Sequence, residues 1–124
     1  MEMIAIFLFL GLTLKHFVVD FPLQKPYQWM NKGTYGHPGG ILHAGLHGWA
    51  TYLVLLFVTS WPIALILGVL DMFLHYHIDW AKMNLNAKMG WKSNEHEQFW
   101  TLLGFDQLLH QLTYILIVFI VITI

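Results

Sequence analysis

The sequence predicts an all-α protein: a single four-helix transmembrane bundle over residues 1–124, with both termini on the non-cytoplasmic side. Three observations lead there. Apolar residues make up 57% of the chain and charged residues only 10%, against about 25% charged in soluble domains. Four largely apolar stretches, about 3–21, 41–60, 62–83 and 99–124, are each long enough at ~1.5 Å per residue to cross a hydrocarbon core of ~30 Å. Their most apolar halves are hydrophobic all round, unlike the striped helices of a soluble bundle. Finally, the charges are lopsided. The six Lys (Lys15, Lys25, Lys32, Lys82, Lys88, Lys92) fall on or near the side that holds the connectors 22–40 and 84–98, and the other side carries only Glu2. The positive-inside rule makes the connectors cytoplasmic.

In chain order, Met3 to Leu14 opens the first span and Pro22 marks its end. No cleavable leader is expected, because the start lacks a basic region and the first run ends in His16 and Asp20. The connector 22–40 is rich in Pro and Gly, with Tyr27 and Trp29 as interfacial anchors. The second span begins Ile41-Leu42-His43-Ala44-Gly45-Leu46-His47-Gly48, where Gly45 and Gly48 allow close helix packing. Trp61-Pro62 is a tight turn, with Pro62 suited to the first turn of the third helix. The polar connector 84–98 leads to a fourth span that is nearly pure hydrocarbon from Leu112 onward.

Composition excludes several classes. With no Cys, thiolate metal sites, Cys nucleophiles and disulfides are impossible. A net charge of -1 and no Arg argue against nucleic acid. Eight His in 124 residues need an explanation. Each span carries one i, i+4 pair of potential ligands: His16 and Asp20, His43 and His47, His75 and Asp79, Asp106 and His110. Such spacing sets two side chains one turn apart on one face. In the predicted topology every pair lies toward the connector side. Imidazole and carboxylate suit Zn²⁺ at about 2.0–2.2 Å, and bundles build such centres from facing helices. A lone charge at mid-membrane costs at least ~2.5–3.5 kcal/mol, so several Asp require a cation or internal ion pairs.

The expected metal ligands are therefore His16, His43, His47, His75, Asp79 and His110, around one or two divalent ions, Zn²⁺ first and Mn²⁺ or Fe²⁺ as alternatives. Asp20 and Asp106 are candidate bases or further ligands, and Lys82 a candidate stabiliser of developing negative charge. Plainer readings stand beside these. His16 near the interface is also the kind of His that simply hydrogen-bonds, and Lys82 can reach the headgroups. His37 and His96 read as solvated loop residues. Asp71 lies deepest, as a second-metal ligand or a helix-to-helix hydrogen bond, and His77 points away from the row.

The motifs His16-x-x-x-Asp20-Phe21-x-x-Gln24, His43-x-x-x-His47, His75-x-x-x-Asp79-x-x-Lys82 and Asp106-Gln107-x-x-His110 span nearly the whole chain. In them the chain resembles a small bacterial and phage integral-membrane family known as domain of unknown function 3307. The resemblance implies a bacterial inner-membrane location and adds Gln24 and Gln107 to the residues of interest, but no activity. The residues support a membrane metallohydrolase acting near the inner headgroup layer on a lipid or lipid-linked substrate. A metal or proton transporter or binding module, and a structural subunit held by Asp–His pairs, are the alternatives. Beyond the lipid bilayer, the partners left open are a homo-oligomer or a larger membrane complex. Di-iron membrane hydroxylases also use His-x-x-x-His, but the further paired-His boxes they need are missing.

Overall fold

The computed structural model describes residues 1–124 and is all-helical, as the sequence predicts. Helix α1 is Glu2–Asp20, α2 the short Pro26–Trp29, α3 Pro38–Leu55, α4 Trp61–Met89 and α5 Glu97–Thr123. The four long helices form a ring in which α1 touches α3 and α5, and α4 touches α3 and α5. The short α2 packs on α3.

Three helices, α1, α4 and α5, are long and apolar enough to cross a membrane, where the sequence predicts four such spans. The exception is α3. It starts before the expected Ile41 and stops at Leu55, ahead of the expected Ser60. Its 18 residues include His43, His47 and four glycines, Gly39, Gly40, Gly45 and Gly48. These dilute its apolar character because α3 is used for packing. At the α3–α4 crossing the two backbones nearly touch. A Cβ on Gly48 would lie 2.6 Å from the Gly68 carbonyl oxygen, and one on Gly68 would lie 2.8 Å from that of Gly48. Only glycine at both positions permits that approach. Gly45 is not part of it, since a Cβ there would meet only the tip of Met72 at 3.9 Å.

Helix α4 runs on through Asn84–Met89, which the sequence assigns to the connector. Leu85, Ala87, Lys88 and Met89 are good helix formers, and the helix stops at Gly90, whose φ of 68° is left-handed. Pro62 sits in the first turn of α4 as expected. His37 is an N-cap whose Nδ1 accepts the Gly39 N–H at 3.0 Å, a role beyond that of a plain loop residue.

The interior of the ring has two different ends. At one, Leu8, Leu12, Leu55, Leu67, Tyr114 and Ile117 are buried against one another. At the end nearer the connectors the buried side chains are His16, His43, His47, His75, Asp79, Asp106 and His110. Outside, residues such as Phe7, Leu10, Ile66, Val69 and Phe119 are exposed, an apolar surface far beyond what a soluble chain leaves in water. The outer face and the three long apolar helices together describe a membrane protein.

Candidate metal centre

The ring brings together all four i, i+4 pairs. Asp20, at the end of α1, has its Oδ1 2.8 Å from His47 Nε2 and 3.2 Å from His43 Nε2, and its Oδ2 3.0 Å from His16 Nε2. Asp79 on α4 has its Oδ2 3.3 Å from His75 Nε2 and 3.4 Å from His43 Nε2. Its Oδ1 accepts a hydrogen bond from His110 Nε2 at 3.3 Å. Asp106 Oδ1 is 3.4 Å from the same His110 nitrogen. His75 is sandwiched between His47 and His110, with ring centroids 3.6 and 3.9 Å away, which fixes its orientation.

Several of these approaches are not hydrogen bonds. His43 Nε2, both nitrogens of His75, Asp79 Oδ2 and Asp106 Oδ1 are buried and make none. Buried polar atoms are ordinarily paired, so such a concentration at one place marks a site that could hold an ion. The spacings fit one. Oxygen and nitrogen ligands about 2.0–2.2 Å from a tetrahedral ion lie about 3.3–3.6 Å from one another, and His43 Nε2 and His75 Nε2 lie 3.4 and 3.3 Å from Asp79 Oδ2. Two overlapping sets have ligating atoms within 4.8 Å of each other: Asp20, His43, His47 and His75, and His75, Asp79 and His110.

His16 lies in the cluster but outside both sets. Its Nδ1 is 2.6 Å from Tyr114 Oη and its Nε2 2.9 Å from Gln107 Oε1, so both nitrogens already have side-chain partners. Gln107 also donates to Asp106 Oδ2 at 3.0 Å. Gln24 donates to the Asp20 carbonyl at 2.6 Å. Lys82 Nζ is 3.6 Å from Asp106 Oδ2. Asp71 pairs with Lys15 Nζ at 2.7 Å and accepts from Thr51 Oγ1 at 2.5 Å, so it is a helix-to-helix link outside both ligand sets. His77 faces outward, with Nε2 3.0 Å from Tyr35 Oη and Nδ1 2.7 Å from the Phe73 carbonyl. His96 Nδ1 accepts the Lys92 N–H in the second connector.

Four participants are not singled out by sequence reasoning. Lys15 reads there only as a charge, yet it is buried beside His47. Gln28 and Lys32 come from the first connector. Gln28 Oε1 is 3.2 Å from His43 Nδ1, and Lys32 Nζ is 3.6 Å from Asp79 Oδ2 and 3.2 Å from Gln24 Oε1. They bring the first connector against His43 and Asp79. Tyr114 hides in an apolar run, where only its phenol hints at a buried partner. Lysines face three of the four carboxylates. Lys15, Lys32 and Lys82 face Asp71, Asp79 and Asp106, leaving the fourth carboxylate, Asp20, with imidazoles only.

One further feature adjoins the cluster. A groove of about 330 Å³ between α4 and α5 is walled by Leu74, Ile78, Leu85, Leu102, Phe105 and Leu109, and Lys82 and Asp106 also line it. Asp106 therefore faces both the groove and His110.

No curated protein and no solved structure matches the chain. The profile of one family matches residues 8–124, nearly the whole of it. The chain belongs to that family, described as Protein of unknown function (DUF3307).

Proposed function

We propose that this protein is a membrane metallohydrolase that acts on a lipid or lipid-linked ester or phosphate ester. The observation that carries the reading is the set of buried, hydrogen-bond-free atoms converging on one point: His43 Nε2, His75 Nε2 and Asp79 Oδ2. His43, His75 and Asp79 would hold a divalent ion, with Zn²⁺ favoured by the imidazole-carboxylate set. The ion would supply a water activated near neutral pH and polarise the scissile oxygen. Asp20, beside His43 Nε2 but without an ammonium partner, is the base that takes the proton from water. Lys82 lines the groove beside Asp106, placed to face negative charge on a substrate. The apolar walls of the groove suit an acyl chain, which supports a substrate drawn sideways from the bilayer. Transport is disfavoured by the packed Leu8, Leu12, Leu55 and Ile117 at the other end of the ring, where Tyr114 is the one buried side chain of the core cluster with a polar atom. The connectors and the site then lie on the cytoplasmic side of a bacterial inner membrane, an orientation supported by the Lys distribution.

Turnover of amphiphilic phosphate-ester and carboxylic-ester substrates by purified protein tests this. The wild type is expected to hydrolyse one class, a chelator to abolish it, and Asp20→Asn to lower the rate by about 10²–10⁴-fold. Chelator-resistant turnover, or an Asp20→Asn variant as fast as the wild type, would rule the mechanism out.

A further inference from the structure

His43 and His47 lie one turn apart on α3, and both have an Nε2 aimed at Asp20 Oδ1. Their other nitrogens meet opposite chemistry. His43 Nδ1 faces Gln28 Oε1 at 3.2 Å. That amide is oriented by its own nitrogen, which donates to the Leu23 carbonyl at 3.2 Å. His43 must therefore carry a proton on Nδ1 and donate it, and a neutral ring then has its lone pair on Nε2. His47 Nδ1 instead faces Lys15 Nζ at 3.0 Å. The Lys15 ammonium is held by Asp71 at 2.7 Å, reaches the His47 carbonyl at 3.4 Å, and sits 4.6 Å above the centre of the Tyr114 ring. An ammonium offers three protons and no lone pair. His47 Nδ1 must then accept, and a neutral ring has its proton on Nε2. That nitrogen makes a well-formed hydrogen bond to Asp20 Oδ1 at 2.8 Å.

We infer that the buried Lys15–Asp71 pair fixes His47 as the Nε2–H tautomer, which makes His47 a positioning residue for Asp20 and not a metal ligand. It rests on the metal reading only for the contrast with His43. Residues Asp71, Lys15, His47 and Asp20 then form one chain of donors and acceptors, anchored by Thr51 on Asp71. The chain aims a lone pair of Asp20 and restricts the ligand set to the side nearer Asp79. Orientation of a metal site by such outer partners is the usual arrangement.

Glutamine at position 47 keeps one acceptor and one donor, so it can imitate this tautomer but not a nitrogen ligand. Zn²⁺ titration of the purified protein should find His47→Gln within about tenfold of the wild type, while His43→Gln weakens binding more than about a hundredfold. Equal losses in the two variants would overturn the inference. Nitrogen NMR of the His47 ring in the wild-type protein gives a second readout that needs no variant. It is expected to show a bare Nδ1 and a protonated Nε2, and Lys15→Met should mix the two tautomers. A protonated Nδ1 in the wild type would overturn the inference as well. If the wild type binds no Zn²⁺, the metal reading fails, and the ring spectrum still decides the state of His47.

Discussion

Asp20 and Asp79 sit in one buried cluster and are both ringed by imidazoles, yet the two carboxylates are held differently. Asp20 Oδ1 receives a good hydrogen bond from His47, which is itself fixed by Lys15. Asp79 Oδ2 receives none, although His75, His43 and Lys32 all crowd it at 3.3–3.6 Å. The same residue types thus make two environments. What separates them is the neighbour of each ring's far nitrogen, an ammonium behind His47 and an amide oxygen behind His43. The hydrogen bond to Oδ1 fixes how the Asp20 carboxylate is turned. Asp79 Oδ2, crowded by two imidazoles and an ammonium at ligand spacing, could serve a bound cation.

Neutralising each carboxylate in turn should separate the two environments most clearly. Asp79→Asn should weaken Zn²⁺ binding more than about a hundredfold, whereas Asp20→Asn should keep it within about tenfold. Calorimetric titration decides, and equal losses would erase the distinction. Next comes the packing that brings the two sides together. Gly48→Val pushes against the Gly68 backbone and should cost about 1–3 kcal/mol, as overpacking does. Thermal unfolding in detergent measures it, with Gly45→Val nearly silent as the control. The smallest expected effect concerns the cover. Lys32 lies 3.6 Å from Asp79 Oδ2, where it would compete with a bound cation. Lys32→Met should tighten Zn²⁺ binding by about tenfold through lost repulsion. Weaker binding would show that Lys32 supports the ion's site.

The helical class, the membrane character and the convergence of His and Asp are legible in the sequence. Periodicity shows which residues share a face, and the energetic penalty on intramembrane charge makes four pairs conspicuous. The rest depends on geometry that periodicity does not encode. Lys15 precedes the His16–Asp20 pair by one residue and looks like an interface charge until α3 brings His47 against it. Gln28 and Lys32 lie in a Pro- and Gly-rich segment whose path no repeat predicts. Helix α4 is longer than its sequence suggests because Asn84 and Asn86 resemble loop residues, while Leu85 and Ala87 to Met89 sustain the helix as far as Gly90. Helix α3 is less apolar than a membrane span because its glycines and histidines serve the interior instead of the bilayer.

The chemistry of the site turns on whether the cluster holds an ion. Elemental analysis of the wild-type protein, purified from membranes without added metal or chelator, measures that directly. An equimolar divalent metal, zinc first, that disappears in Asp79→Asn is the expected result. A folded wild type that carries no metal and takes up none when offered Zn²⁺ would contradict the metal centre, and would leave the His and Asp pairs as the internal struts of a structural membrane subunit.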